Sequence, residues 1–182
     1  WPLAKTSTRK AGLTRLYVAT VLDQLKDRTA PAFLAGLGFE LYDQARGVSL
    51  KVTGYRARQH QLLSTVLAAL RAPQVSPERF ARMRTQLLRV LKNDAHQDPA
   101  GRVMSDLNRL LLAPAWSPDE LTATVKDLKT ADLVAFVPSF LEQGVTVALA
   151  HGTYLQDDAL EPAETVQRAR LEPRQVRQVT RS

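Results

Sequence analysis

The sequence contains no cysteine. That excludes disulfides and cysteine-ligated metal centres, and leaves the compartment open between cytoplasm and periplasm. Aromatic residues make up only 6% of the chain and are scattered along it, so the interleaved platforms on which single-strand nucleic-acid binders stack bases are missing. No apolar run approaches the roughly 18 residues of a membrane-spanning helix, so no membrane partner is expected. Trp1-Pro2-Leu3 opens directly into polar sequence, without the apolar core of a signal peptide. Glycine and proline, 8 and 10 residues respectively, are too few for a disordered chain. No internal repeat recurs at solenoid-like periods.

What is present is enough apolar residue, 45% of 182, for one domain with a sizeable core. The formal charge is +7 and the isoelectric point near 10.0, which raises the question of an acidic partner or of nucleic acid. The charge is unevenly placed. Arg168, Arg170, Arg174, Arg177 and Arg181 fall near the C-terminus, with Glu172 the one acid among them. A second concentration comprises Arg79, Arg82, Arg84, Arg89 and Lys92. Apart from the tail, the chain is only mildly basic, as solvated helix faces require.

Periodicity divides the chain into elements. Ser7 or Thr8 caps a predicted helix to about Arg28, with Leu13, Leu16, Tyr17, Val21 and Leu25 forming one buried stripe. Pro31–Ala35 adds a further helical turn. Leu37, Phe39 and Leu41 then alternate with polar or small residues, as do Val48, Leu50 and Val52, which predicts a hairpin turning at Asp43–Gly47. Helices follow over about Ala57–Leu70, burying Leu62, Leu63, Val66, Leu67 and Leu70, and from Ser76-Pro77 to about Asn93, burying Phe80, Met83, Leu87, Val90 and Leu91.

Beyond Gln97-Asp98-Pro99, Val103, Leu107, Leu110 and Leu111 share a helical face. Ser117-Pro118-Asp119-Glu120 is a capping box with proline at the first helical position. Thr130 caps a helix to about Glu142, bent at Pro138, and Gly144 breaks it. Val145, Val147 and Leu149 alternate in a third strand that ends at His151-Gly152, and a last helix spans about Leu155–Arg170. The fold class is α+β: a small antiparallel sheet with helices packed on one face. Three strands are few for this length, so a partner strand is expected outside the chain.

Catalytic groups are hard to assemble from these elements. His60, His96 and His151 lie in three different elements, none paired at helical spacing, so a zinc site is not expected. There is no G-x-S-x-G, no P-loop and no G-x-G-x-x-G. Ala35-Gly36-Leu37-Gly38 is too short to cradle phosphate and eases a helix-to-strand transition instead. The acid pairs Asp119-Glu120 and Asp157-Asp158 sit in first helical turns, where they complement the macrodipole. One feature remains as a candidate contact surface. Arg82, Arg89 and Lys92 share the helix face opposite Phe80, Met83, Leu87 and Val90. An ordinary solvated face accounts for the pattern, and so does a surface that presents charge to an acidic partner.

Five segments stand in order along the chain: Leu16-Tyr17-Val18-Ala19, Ala35-Gly36-Leu37-Gly38-Phe39-Glu40-Leu41, Gly47-Val48-Ser49-Leu50-Lys51-Val52-Thr53-Gly54-Tyr55, Ala115-Trp116-Ser117-Pro118-Asp119-Glu120-Leu121 and the segment closing on His151-Gly152. Together they resemble the third, or middle, domain of the pitrilysin/insulysin zinc peptidases. The likeness covers about Pro2 to Leu171; Thr153 stands where that family leads one to expect asparagine. The resemblance implies the pitrilysin/insulysin-like metallohydrolase fold, with residues 1–171 as a middle domain lacking its first strand and 172–182 as a truncated linker or tail. It implies a zinc metalloendopeptidase as the parent protein, its H-x-x-E-H motif and its zinc in another domain. This sequence has no H-x-x-E-H, so the resemblance carries over no catalytic or metal residue.

The function so implied is non-catalytic: a wall of the C-terminal half of a closed substrate chamber that contacts peptides. Its partners would be the other domains of the same polypeptide and peptide substrates, with Arg82, Arg89 and Lys92 as the substrate-contacting candidates. Zinc would serve the parent enzyme, with none bound by this chain. Two alternatives stay open. One is a freestanding basic module that binds acidic partners or nucleic acid, supported by the charge. The other is a parent protein that has itself lost the zinc motif.

Overall fold

The computed structural model describes residues 6–44, 47–94 and 115–142. It also describes Gly101, Val103, Leu107, Leu111, Val147, Leu149, His151, Pro162 and residues 164–166; at 56 and 57 it describes backbone only. The elements are α1 (Thr8–Leu34), β1 (Gly38–Gln44), β2 (Gly47–Thr53), α2 (Arg56–Arg71), α3 (Pro77–Asp94), α4 (Pro118–Asp127) and α5 (Thr130–Glu142). The arrangement is α+β, as the periodicity predicts, with helices dominating and one two-stranded antiparallel sheet among the described residues.

The first helix is longer than its sequence signals suggest. Ser7 caps it, its hydroxyl accepting the Lys10 N–H at 3.2 Å. The helix then runs 27 residues, through Pro31, to Leu34. Proline there forgoes only a donor to the carbonyl four residues back, a loss the last turn of a well-packed helix tolerates. Gly36, at φ 76°, ends the helix. Its N–H donates to the Phe33 carbonyl at 3.1 Å, and the Leu37 N–H reaches the Ala32 carbonyl at 3.0 Å. This 6→1, 5→2 pair is a Schellman motif, which uses glycine's access to positive φ to satisfy orphan carbonyls and turn the chain.

The predicted single stripe of α1 is an incomplete description of its burial. Leu16, Tyr17, Val21 and Leu25 are fully enclosed, but Ala11, Gly12, Thr14, Val18 and Thr20 are buried as well. The N-terminal half is therefore covered nearly all round. Gly12 permits this, because a methyl there would sit 3.0 Å from Val125 Cγ2 on α4. The three buried threonines satisfy their hydroxyls within the helix, Thr14, Thr20 and Thr29 donating to carbonyls four residues back at 2.8–2.9 Å. The Tyr17 hydroxyl donates to the Leu70 carbonyl at 2.6 Å at the end of α2. Burial pushes that hydroxyl above its ordinary pKa, so it remains a donor at neutral pH. The Tyr17 ring meets Phe140 edge-on at 5.5 Å, and Phe140 leans on Phe136.

The hairpin pairs Phe39 with Val52, Leu41 with Leu50 and Asp43 with Val48 on the face turned toward the helices. Glu40 and Lys51 pair on the solvent face at 3.3 Å, both well exposed. Gln44 pairs with Gly47 at the closed end of the hairpin. Of the predicted third strand, Val147 and Leu149 are described; they carry no strand structure and are 77% and 90% exposed. The rest of that segment lies outside the described residues, as do most of the helices expected after Pro99 and over Leu155–Arg170. In the former, Gly101, Val103, Leu107 and Leu111 are helical; in the latter, Pro162 and residues 164–166. Val90 also departs from expectation: α3 buries Phe80, Met83 and Leu91 while Val90 is 47% exposed.

Gly54 fixes how the sheet meets α2. It has φ 127°, and a β-carbon there would lie 2.7 Å from Leu37 Cδ2, 2.8 Å from the Gly36 carbonyl oxygen and 2.9 Å from Leu37 Cα. Two of these three atoms are backbone and cannot turn aside. Gly54→Ala should therefore cost about 2 kcal/mol or more, the positive-φ penalty plus the clash. Chemical denaturation should show a lower midpoint with little change in slope.

Candidate functional site

The five basic residues clustered in the sequence separate into three environments. α3 begins with Ser76 as its cap, whose hydroxyl accepts the Arg79 N–H at 3.2 Å, and Pro77 at the first helical position. The apolar face buries Phe80, Met83 and Leu91 against α1 and α4. Arg84, at the edge of that face, is structural. It donates to the Leu128 carbonyl at 3.0 Å and lies 5.7 Å from the Phe80 ring centroid. Leu128 is the C-cap of α4, so the guanidinium sits where a helix end favours positive charge.

Arg79 and Arg82 converge on one carboxylate. Asp23 of α1 accepts from Arg79 Nε at 2.9 Å and from Arg82 at 2.8 Å, both through Oδ2. The two arginines differ in exposure, Arg79 at 25% and Arg82 at 63%. Arg79 also donates to the Gln74 carbonyl at 3.0 Å. Gln24, next to Asp23, accepts the Gln74 N–H at 2.8 Å, so the α2–α3 connection is bound to α1. Sequence reasoning missed Asp23, because its partners lie 56 and 59 residues away.

Of the candidate trio, the structure thus assigns Arg82 a partner on α1, while Arg89 and Lys92 lie further along the exposed face. Arg89 makes no ion pair with a described residue. Together with Ala81, Arg82, Thr85 and Gln86 it lines a shallow depression of about 430 Å³. The Thr85 hydroxyl donates to the Ala81 carbonyl at 2.9 Å, which leaves its oxygen as an acceptor toward solvent.

The remaining chemistry-bearing residues are dispersed. Asp119 and Glu120 open α4, and the capping box is complete: the Ser117 N–H donates to Glu120 Oε2 at 2.7 Å and the Glu120 N–H to Ser117 Oγ at 3.2 Å. At the start of α5 the expected cap, Thr130, is itself the first helical residue, and Asp132 reaches back to accept the Lys129 N–H at 2.8 Å. That backbone donor first, and then Arg9 at 2.8 Å, hold the Asp132 carboxyl below its ordinary pKa. His60 lies in α2 and His151 is exposed, far apart in sequence; His96 and Asp157-Asp158 lie outside the described residues. No three His, Cys, Asp or Glu among the described residues come together as metal ligands. No described helix is long and apolar enough to cross a membrane.

These features define an α+β domain whose polar groups cap helices, clasp elements together and carry charge. A family model described as the middle or third domain of peptidase M16 matches residues 1–124. The chain belongs to that family, that of the insulysin-type peptidases. It is 32% identical over 175 residues to mug138 of Schizosaccharomyces pombe, which carries "zinc protease" in its name; the match covers 96% of this chain and 18% of that protein. Human insulin-degrading enzyme is 29% identical over 159 residues, covering 87% and 16% respectively. A nardilysin-like protein of Arabidopsis thaliana is 28% identical over 157 residues, covering 86% and 15%. The chain thus spans less than a fifth of the length of these relatives.

The half-buried Asp23–Arg79 pair should matter more to stability than the exposed Glu40–Lys51 pair. Double-mutant cycles read by urea unfolding should give a coupling of about 1 kcal/mol for the first and under about 0.5 kcal/mol for the second. Equal couplings would mean that Asp23 does not anchor α3.

Proposed function

We propose that this chain is a non-catalytic domain of a zinc metalloendopeptidase, forming part of the C-terminal half of a closed substrate chamber and contacting peptide substrates. The observation that carries the reading is the match of residues 1–124 to the middle-domain model. The relatives support it: each is several times longer than this chain, and one is named as degrading insulin, a peptide. In this reading residues 1–171 make up the domain and 172–182 lead away from it as a linker.

The division of labour follows from the residues. Zinc, supplied by another domain of the same polypeptide, would activate the hydrolytic water. This chain lacks H-x-x-E-H, and its described acids and histidines do not converge, so they do not fit a zinc site. What the chain supplies is a rigid wall with a charged outer helix, on which Arg82, Arg89 and Lys92 are the substrate-contacting groups.

The test compares the isolated 182-residue chain with the full-length parent on an insulin-sized peptide, with and without a zinc chelator. The parent should cleave, chelator should abolish cleavage, and the isolated chain should be inert. Chelator-sensitive hydrolysis by the isolated chain would overturn the assignment, and so would an inert zinc-loaded parent.

A further inference from the structure

The outer face of α3 has a geometry that bears on which peptides this wall would hold. Arg82 and Arg89 are seven residues apart, which puts them about 10 Å apart along the helix and within about 20° of each other around its axis. Thr85 between them and Ala81 just before Arg82 are small, which leaves the depression that they line with Gln86. The strip therefore offers two guanidinium groups, each able to grip a carboxylate with paired donors. Between them it offers a hydroxyl oxygen that can accept a peptide N–H.

Two acids lie beside this strip. Glu78, one turn before Arg82, sits in the first turn of α3 and is held below its ordinary pKa first by its own backbone N–H and then by the Ser76 hydroxyl. Asp23 holds both Arg79 and Arg82 through one oxygen. If Arg82, the more exposed of the two, swings out to a ligand, Arg79 stays behind and the carboxylate keeps a partner. Release of Arg82 thus avoids the penalty of orphaning a half-buried charge. Arg89 needs no release, since it has no ion-pair partner among the described residues.

An extended peptide matches this spacing in one register. In the polyproline II conformation, with three residues per turn and about 3.1 Å rise, residues i and i+3 fall on the same side about 9 Å apart. We propose that the outer face of α3 is a docking strip for acidic, extended peptide segments, with Arg89 and Arg82 each taking one of two carboxylates three residues apart. The inference rests on the reading of this chain as a peptide-contacting wall, and it names the substrate class.

The test is fluorescence anisotropy of the 182-residue chain with a short labelled peptide carrying Glu-Pro-Pro-Glu, its Gln-Pro-Pro-Gln counterpart, and a version with adjacent glutamates. The spaced acidic peptide should bind, the glutamine peptide should not, and adjacent glutamates should bind more weakly. Arg89→Glu should lower affinity about tenfold or more, the scale of a lost charge-assisted contact, and Arg89→Ala should lower it less. Lys126→Glu, an equal charge change at an exposed site on α4, should have little effect. Equal losses from Arg89→Glu and Lys126→Glu, or indifference to glutamate spacing, would overturn the proposal. Tighter, Arg89-dependent binding of a single-stranded oligonucleotide would overturn it in favour of a nucleic-acid surface. If the parent fails to cleave peptides while Arg89-dependent, spacing-dependent binding persists, the peptidase reading falls and the docking strip stands.

Discussion

Everything in the structure is referred to α1. It contacts both strands and each of the other four described helices, and its central side chains, Leu16, Tyr17, Val21 and Leu25, are shut off from solvent. Truncating any one such aliphatic side chain removes about 2–5 kcal/mol, a large fraction of a domain's net stability. The polar contacts are smaller, about 0.5–1.5 kcal/mol each, and they act differently. Tyr17 fixes the end of α2, Gln24 and Asp23 the entry to α3, Arg9 the start of α5 and Arg15 the tip of the hairpin through Asp43. Apolar burial supplies the drive, and this ring of directional contacts sets where each element lies along the central helix.

Sequence patterning conveys the local part of this and misses the rest. The cap at Ser7, the capping box at Ser117–Glu120, the glycine at 36 and the alternation across Phe39–Leu41 and Val48–Val52 are short-range signals, each with a physical cause inside a few residues. The full enclosure of α1 is not of that kind. Nothing near Gly12 or Thr20 announces that α4 will cover the far side. Two partners of the basic cluster, Asp23 and the Leu128 carbonyl, were likewise invisible, being 44 to 59 residues from the arginines they meet. Helical spacing puts Arg82, Arg89 and Lys92 on one side of α3, but that Arg82 is held from α1 is a tertiary feature. Val90 shows the reverse error: helical periodicity assigns it to the buried face, yet it is about half exposed.

Family membership and geometry bear on function at different levels. The match to the middle domain of the M16 peptidases assigns the chain its place in a larger polypeptide. The structure shows which groups this piece can contribute. Asp23, Glu40, Asp43 and Asp132 are engaged in ion pairs and Glu78, Asp119 and Glu120 open helices, and no three acids or histidines among the described residues gather as metal ligands. The cations of α3 are either locked into the fold, as Arg79 and Arg84 are, or presented outward, as Arg89 is.

The three buried threonines of α1 carry a different implication. Each returns its hydroxyl hydrogen to its own helix, so at these positions the buried face of α1 needs no acceptor from its neighbours and asks them chiefly for volume. The layers around it are free to exchange one aliphatic or aromatic side chain for another over evolutionary time, provided the space is refilled. A scaffold organised in that way can drift far in sequence while its outer helices take up new specificities.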